Sequence, residues 1–186
     1  MRVALTGTPG TGKTTVASQL DTDLTVIHLN DVITDVDLVA SVDTDRGSWV
    51  ADLEAVEDWL SGREDVLVAS HLAHLVPVDR VIVLRCHPHE LIRRLTDRGE
   101  PPEKARENAE SEALDLILAE AVDRVGEGKV YEIDTTDRTP SAVAAEVRDA
   151  IRDEREPAVG AVSFLAALEE LELGEAGGTP REVTDS

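Results

Sequence analysis

The first residues with chemical consequence lie close to the N-terminus. Gly7-Thr8-Pro9-Gly10-Thr11-Gly12-Lys13-Thr14 satisfies G-x-x-x-x-G-K-[ST] without a mismatch. Glycines let a backbone wrap a small anion closely. Amide donors from Gly10, Gly12, Lys13, Thr14 and Thr15 then converge on one phosphate-sized volume, and the positive end of a helix dipole reinforces them. Lys13 supplies a mobile ammonium toward the β- and γ-phosphates of a nucleotide, and the Thr14 hydroxyl is placed to ligate Mg2+. The run Gly10-Thr11-Gly12-Lys13-Thr14-Thr15 lacks the third glycine of G-x-G-x-x-G, which disfavours a dinucleotide site. No Asn-Lys-x-Asp tetrapeptide occurs, so the guanine signature of small GTPases is absent.

A cradle of this kind needs a strand before it and a helix after it. Residues 2–6 form a short apolar, β-branched run that stops at Gly7, and residues 13–20 carry Val16 and Leu20 at helical spacing. Further strands are expected at 24–29, 66–69, 81–84 and 129–133. The continuous apolar runs at 66–69 and 81–84 fit strands covered on both faces, hence a parallel sheet. Helices are expected at 31–42, 49–60, 88–95, 105–125 and 139–151. Five alternations of strand and helix define an α/β domain over residues 1–156. Pro157 marks its boundary, 162–173 reads as one more amphipathic helix, and the Gly- and Pro-containing stretch 174–186 is expected to be disordered.

Composition narrows the partners. The chain has 186 residues, with 39 acids against 18 bases and a formal charge of −21. Such a polyanion is repelled by nucleic-acid backbones and by anionic membranes. One cysteine, Cys86, excludes an internal disulfide. The apolar part of the N-terminus is too short for a signal peptide, so a cytoplasmic protein is expected. Aspartate predominates and lysine is confined to Lys13, Lys104 and Lys129. That balance resembles haloarchaeal composition, suited to molar salt, where the Debye length is about 3 Å.

The ordered motifs carry a more specific likeness. After the glycine-rich loop come Asp45-Arg46-Gly47-Ser48 and His71-Leu72-Ala73-His74-Leu75. Val83-Leu84-Arg85-Cys86-His87-Pro88 follows, then Arg94-Leu95 with Arg98-Gly99, Lys104, Glu107-Asn108, Glu112-Ala113-Leu114-Asp115 and Val130-Tyr131-Glu132-Ile133-Asp134-Thr135-Thr136. Over about residues 1–152 this set resembles the archaeal adenylate kinases of the isoenzyme-six type, called Fap7-like in eukaryotes. The resemblance implies a three-layer P-loop NTPase core with a five-stranded parallel sheet of order 2-3-1-4-5. It implies a monophosphate-binding insert at about 28–51 and a short lid at about 97–107. The implied activity is conversion of ATP and AMP to two ADP with Mg2+, together with ATP hydrolysis. It also implies a part in small-subunit ribosomal RNA maturation through a basic ribosomal protein.

Carried onto this sequence, the resemblance makes Lys13, Arg98 and His71 the candidate catalytic residues. Gly10, Gly12, Lys13, Thr14, Thr15 and Arg98 would bind ATP, with Thr14 holding the metal. Asp31, Arg46 and Arg85 are the candidates for the AMP site. One departure stands out: Ala69-Ser70 precedes His71 where the family often places an acid, so Ser70 or Asp31 must serve any water on the metal. Two other functions fit the same loop: an ATPase assembly switch with little AMP kinase activity, and a small-molecule alcohol kinase with Asp31 as base. Two features are read as structural. Glu112, Asp115 and Glu120 form a solvated helix face, and Cys86-His87-Pro88-His89 forms a strand-to-helix turn.

Overall fold

The computed structural model describes residues 1–43 and 48–176. In chain order the elements are β1 (Arg2–Thr6), α1 (Lys13–Ser18), β2 (Thr25–His28), α2 (Leu29–Asp35), β3 (Val39–Asp43), β4 (Ser48–Ala51) and α3 (Leu53–Leu60). They continue with β5 (Val66–Ala69), β6 (Arg80–Arg85), α4 (Pro88–Asp97), α5 (Pro102–Ala113), α6 (Leu116–Val125), β7 (Val130–Asp134), α7 (Pro140–Ile151) and α8 (Leu165–Ala176). Five strands form one parallel sheet of order β2-β5-β1-β6-β7. With the separate β3–β4 pair set aside, this is the expected 2-3-1-4-5 order.

The period of two along each strand explains the continuous apolar runs. Val3 and Leu5 face one layer with Leu67, Ile82, Leu84 and Ile133, against Val16 of α1 and Val143 and Val147 of α7. Ala4 faces the other with Val66, Val68, Val81 and Val83, against Ile33, Val56, Leu60 and Leu118. Both faces are therefore covered by helices. A third, smaller cluster of Cys86, Leu91, Leu95 and Ala105 joins α4 to α5.

Three helical expectations give way to local backbone chemistry. The helix expected over 31–42 stops at Asp35. Asp37 adopts φ 60° and the Leu38 amide reaches back to the Ile33 carbonyl at 2.9 Å, a left-handed stop. The β-branched residues beyond it form β3, antiparallel to β4. The helix expected at 49–60 begins at Leu53, because the Asp52 side chain caps it by accepting from the Ala55 amide at 3.1 Å. The single helix expected at 105–125 is two, α5 and α6, broken at Asp115 with φ 56°.

The segment 97–107 comprises the last residue of α4, the turn 98–101 and the first half of α5, which Pro102 opens. Beyond Glu156 the chain stays on the sheet. Ala158 pairs with the outer edge of β7, its amide donating to the Val130 carbonyl at 3.1 Å and its carbonyl accepting from the Glu132 amide at 3.0 Å. The Ala161 amide then donates to the Glu132 carboxylate at 2.9 Å. α8 runs to Ala176, so Gly174 is helical rather than part of a disordered tail. The rest of that expected tail, 177–186, lies outside the described residues.

Candidate active site

The loop between β1 and α1 is held from both ends. Gly7 has φ 135°, and a Cβ there would sit 2.3 Å from the Leu84 carbonyl oxygen of β6, so no larger residue fits without moving the strand. Gly10 has φ 94°, and a Cβ would meet Leu91 Cδ1 at 2.9 Å. Within the turn the Thr8 carbonyl accepts from the Thr11 amide at 3.2 Å and the Thr11 hydroxyl at 3.0 Å. Lys13 Nζ folds over the loop, donating to the Gly7 carbonyl at 2.6 Å and the Thr8 carbonyl at 3.0 Å.

The loop floors a cleft of about 1200 Å³. That exceeds the roughly 300–1,000 Å³ of a pocket for one small ligand. On the β2–β5 side of the loop the cleft is lined by Asn30, Ile33, Thr34, Ala51 and Leu72. On the β6–β7 side it is lined by Arg94, Arg98, Lys104, Thr135, Arg138 and Pro140. Lys13, Thr14 and His71 lie on its wall as well.

Burial tunes the charges. Burial pulls the Lys13 ammonium down to about 7 and Arg98 adds to the fall, while Glu112 opposes it. His71 falls to about 4, chiefly by burial and then by the nearby Lys13 and His74 charges. His71 is thus a neutral imidazole at neutral pH, able to donate one N–H but poor at taking up a proton.

Gly10, Gly12, Lys13, Thr14, Thr15, His71 and Arg98 all line the same cleft. The acceptor-side candidates fare differently. Asp31 is exposed and does not line the cleft; its neighbours Asn30 and Thr34 do. One residue along a helix turns the side chain by about 100°, which is why the acid misses. Ser70 donates to Asn30 Oδ1 at 2.8 Å, so the position of the missing acid is tied to α2 by two neutral groups. Arg46 lies outside the described residues.

Arg85 is not a cleft residue. Its side chain is 1% exposed and is enclosed by carboxylates from three places: Glu112 at 2.8 Å, Glu132 at 2.5 Å, and Asp115. Glu112 is likewise buried rather than on a solvated face. It accepts from Arg85 Nε and, at 3.0 Å, from the Cys86 amide, and its second oxygen accepts from the Thr8 hydroxyl of the loop. His74 is 1% exposed between the Thr6 hydroxyl at 3.0 Å and Glu120 at 2.9 Å. Cys86 is packed, and α4 starts at Pro88 with His87 as its cap.

Sequence reasoning did not assign cleft roles to Asn30, Arg94 and Arg138. Arg94 donates to the Thr135 carbonyl at 3.1 Å and pairs with Glu90 at 2.9 Å, while Arg138 donates to the Asp134 carbonyl at 3.0 Å. Arg94 had a signal: it follows the fourth strand of the main sheet by one helix, on the face toward the loop. Asn30 had none.

Oxygen donors suit a hard cation. The Thr14 side chain is exposed at the cleft floor, and Ser70 stands on the opposite wall behind Asn30. No group of three or more His, Cys, Asp or Glu that could hold a metal exists among the described residues. The exposed Thr14 hydroxyl is an oxygen donor that would fit Mg2+ arriving on a nucleotide.

A glycine-wrapped loop at the end of a parallel strand, a buried lysine and arginines converging on one open cleft define a P-loop phosphotransferase. A family model described as an AAA domain matches residues 3–115. A protein of Halobacterium salinarum named "Putative adenylate kinase" is 58% identical over 165 residues, covering 88% of this chain and 98% of its own. Proteins of the same name from Natronomonas pharaonis and Methanocaldococcus jannaschii are 58% and 38% identical, covering 90% and 84% of this chain and 100% and 89% of theirs. The chain belongs to this AAA-domain family of P-loop kinases and to the archaeal group within it. Solved structures repeat the fold at low identity. Shikimate kinase from Bacteroides thetaiotaomicron matches with TM-score 0.54 at 19% identity over 82% of this chain and 98% of its own. Deoxyadenosine kinase from M. mycoides, with bound dATP, matches with TM-score 0.51 at 11% identity over 82% of this chain and 100% of its own.

Proposed function

We propose that the protein transfers the γ-phosphoryl group of ATP to AMP, yielding two ADP. The observation that carries this reading is the acceptor side of the cleft. Among the described residues it offers the amide of Asn30, the hydroxyl of Thr34 and apolar walls, with no carboxylate. An alcohol acceptor needs a base to take its proton, and His71, held near 4, is a poor one. A phosphate acceptor arrives with an anionic oxygen, its second pKa being near 6, and needs none.

The residues then have positioning and charge to supply. Loop amides hold the β-phosphate. Lys13 leaves the Gly7 and Thr8 carbonyls and turns its ammonium to the transferred group. Arg98, exposed at the end of α4 and unpaired among the described residues, swings from the turn 98–101 onto the same oxygens. His71 donates its N–H from the opposite wall. Thr14 would hold Mg2+, which when bound would supply positive charge to the phosphate oxygens of the donor.

The test is ADP formation from ATP and AMP in molar KCl with Mg2+, run beside ATP with a panel of small alcohols. Phosphorylated alcohol without ADP from AMP overturns the reading. Asp31→Asn is expected to leave turnover within twofold, since that carboxylate faces solvent; complete loss with intact ATP affinity would restore the alcohol-kinase mechanism.

The net charge of −21 favours one second reading, ATP hydrolysis coupled to a basic protein. In that reading the partner is the small-subunit ribosomal protein that the resemblance implies, and the protein works in the cytoplasm. No helix among the described residues is long and apolar enough to cross a membrane. ATP turnover raised by that partner and indifferent to AMP would favour it.

A further inference from the structure

Among the described residues, one carboxylate, that of Glu112, is hydrogen-bonded to the phosphate loop, and it does not line the cleft. We infer that Glu112 is a positioning residue for phosphoryl transfer: it anchors the phosphate loop through the Thr8 hydroxyl. The inference rests on the phosphotransferase class alone and is independent of whether AMP is the acceptor.

Geometry comes first. Thr8 is bound at both of its ends. Its carbonyl takes the Thr11 amide, the Thr11 hydroxyl and Lys13 Nζ, and its hydroxyl donates to Glu112. Turning the Thr8 carbonyl away would break its three bonds together, and moving the residue as a whole would also break the bond to Glu112. Glu112 cannot follow such a rotation. Its other oxygen is occupied by Arg85 Nε at 2.8 Å and the Cys86 amide at 3.0 Å, and the residue is 3% exposed. Arg85 is in turn fixed by Glu132 and Asp115. A rigid post therefore runs from β7 and β6 through α5 to the loop.

The electrostatics follow from the same contacts. One guanidinium faces three carboxylates, Glu112, Glu132 and Asp115, so the post carries an excess of negative charge beneath the loop. The groups acting on Lys13 are Glu112 from α5 and Arg98 from the end of α4, with His71 beside it. Of these, only Glu112 favours the ammonium against burial.

The experiment uses the full chain in molar KCl and follows the dissociation constant of Mg-ATP by calorimetry, with the thermal midpoint of each variant beside it. Glu112→Gln is expected to weaken Mg-ATP roughly tenfold and to add nothing to the loss in Thr8→Val, because both act on the same bond. Losses that add in the folded double variant overturn the inference. Should Glu112→Gln fail to fold, Thr8→Val and Thr8→Ser decide. Thr8→Val is expected to weaken Mg-ATP roughly tenfold with its thermal midpoint little changed, and Thr8→Ser to recover it. Parent-like affinity in Thr8→Val overturns the anchoring role.

Discussion

The two sides of the cleft are built from different materials. On the β6–β7 side, Arg94, Arg98, Lys104 and Arg138 approach the loop, and behind them Arg85 and its three carboxylates lock α5 to the sheet. On the β2–β5 side, a seven-residue helix and a two-stranded ribbon present Asn30, Thr34 and Ala51. The first side is charged and braced by long-range ion pairs. Among the described residues, the second lines the cleft with neutral side chains, and a hydroxyl–amide bond between Ser70 and Asn30 ties it to the end of β5. A polyphosphate chain demands fixed cations in fixed places. A smaller acceptor demands mainly shape, and a short helix with a two-stranded ribbon can supply that.

The comparison can be broken in four places. Lys13→Ala should cost the most, a loss of turnover of roughly a thousandfold or more, because the lysine serves the transferring group itself. A loss below tenfold would move the charge burden elsewhere. Arg98→Ala comes next, with kcat expected to fall about a hundredfold and ATP affinity only slightly. Equal losses in both would make Arg98 a ground-state clamp.

Asn30→Ala should raise the KM for the acceptor by roughly tenfold and leave that for ATP unchanged, the size of one lost neutral hydrogen bond. An effect on ATP instead would erase the division between the two sides. The smallest signal is a proton. The free protein holds Lys13 near 7, and the phosphates must restore its charge, so binding ATP at pH 8 should take up close to one proton. The sign follows from a depressed value in the free state and a raised one in the complex. Calorimetry in buffers of different ionisation heat reads it, and Lys13→Arg, permanently charged, should abolish it.

Legibility in the sequence followed contact distance. The glycine-rich loop is local, and its strand and helix are its chain neighbours, so Gly10, Gly12, Lys13, Thr14 and Thr15 could be placed in one cradle before any coordinates. The alternation of apolar strands with helices likewise fixed the fold class, because both faces of each strand are visible in its run. Arg85 and Glu112 were opaque for the opposite reason. They meet across 27 positions, and nothing in a run of charges tells which ones fold inward. The period of Val32, Val36 and Val39 fitted a helix as well as a turn and a strand. The left-handed Asp37 decided between them. The same substitution of aspartate for glycine at a left-handed site hid the break at Asp115, where the bend aims the carboxylate at Arg85.

The pairing of Ala158 along β7 has a consequence at high salt. An exposed strand end is a template for another chain, and dilute-solution proteins commonly ward off such stacking with charge. Concentrated salt strips that protection, since a repulsive field dies within a few ångströms. Here the Glu132 amide and the Val130 carbonyl of that edge are taken up by the protein's own backbone, a shield that no ion can screen.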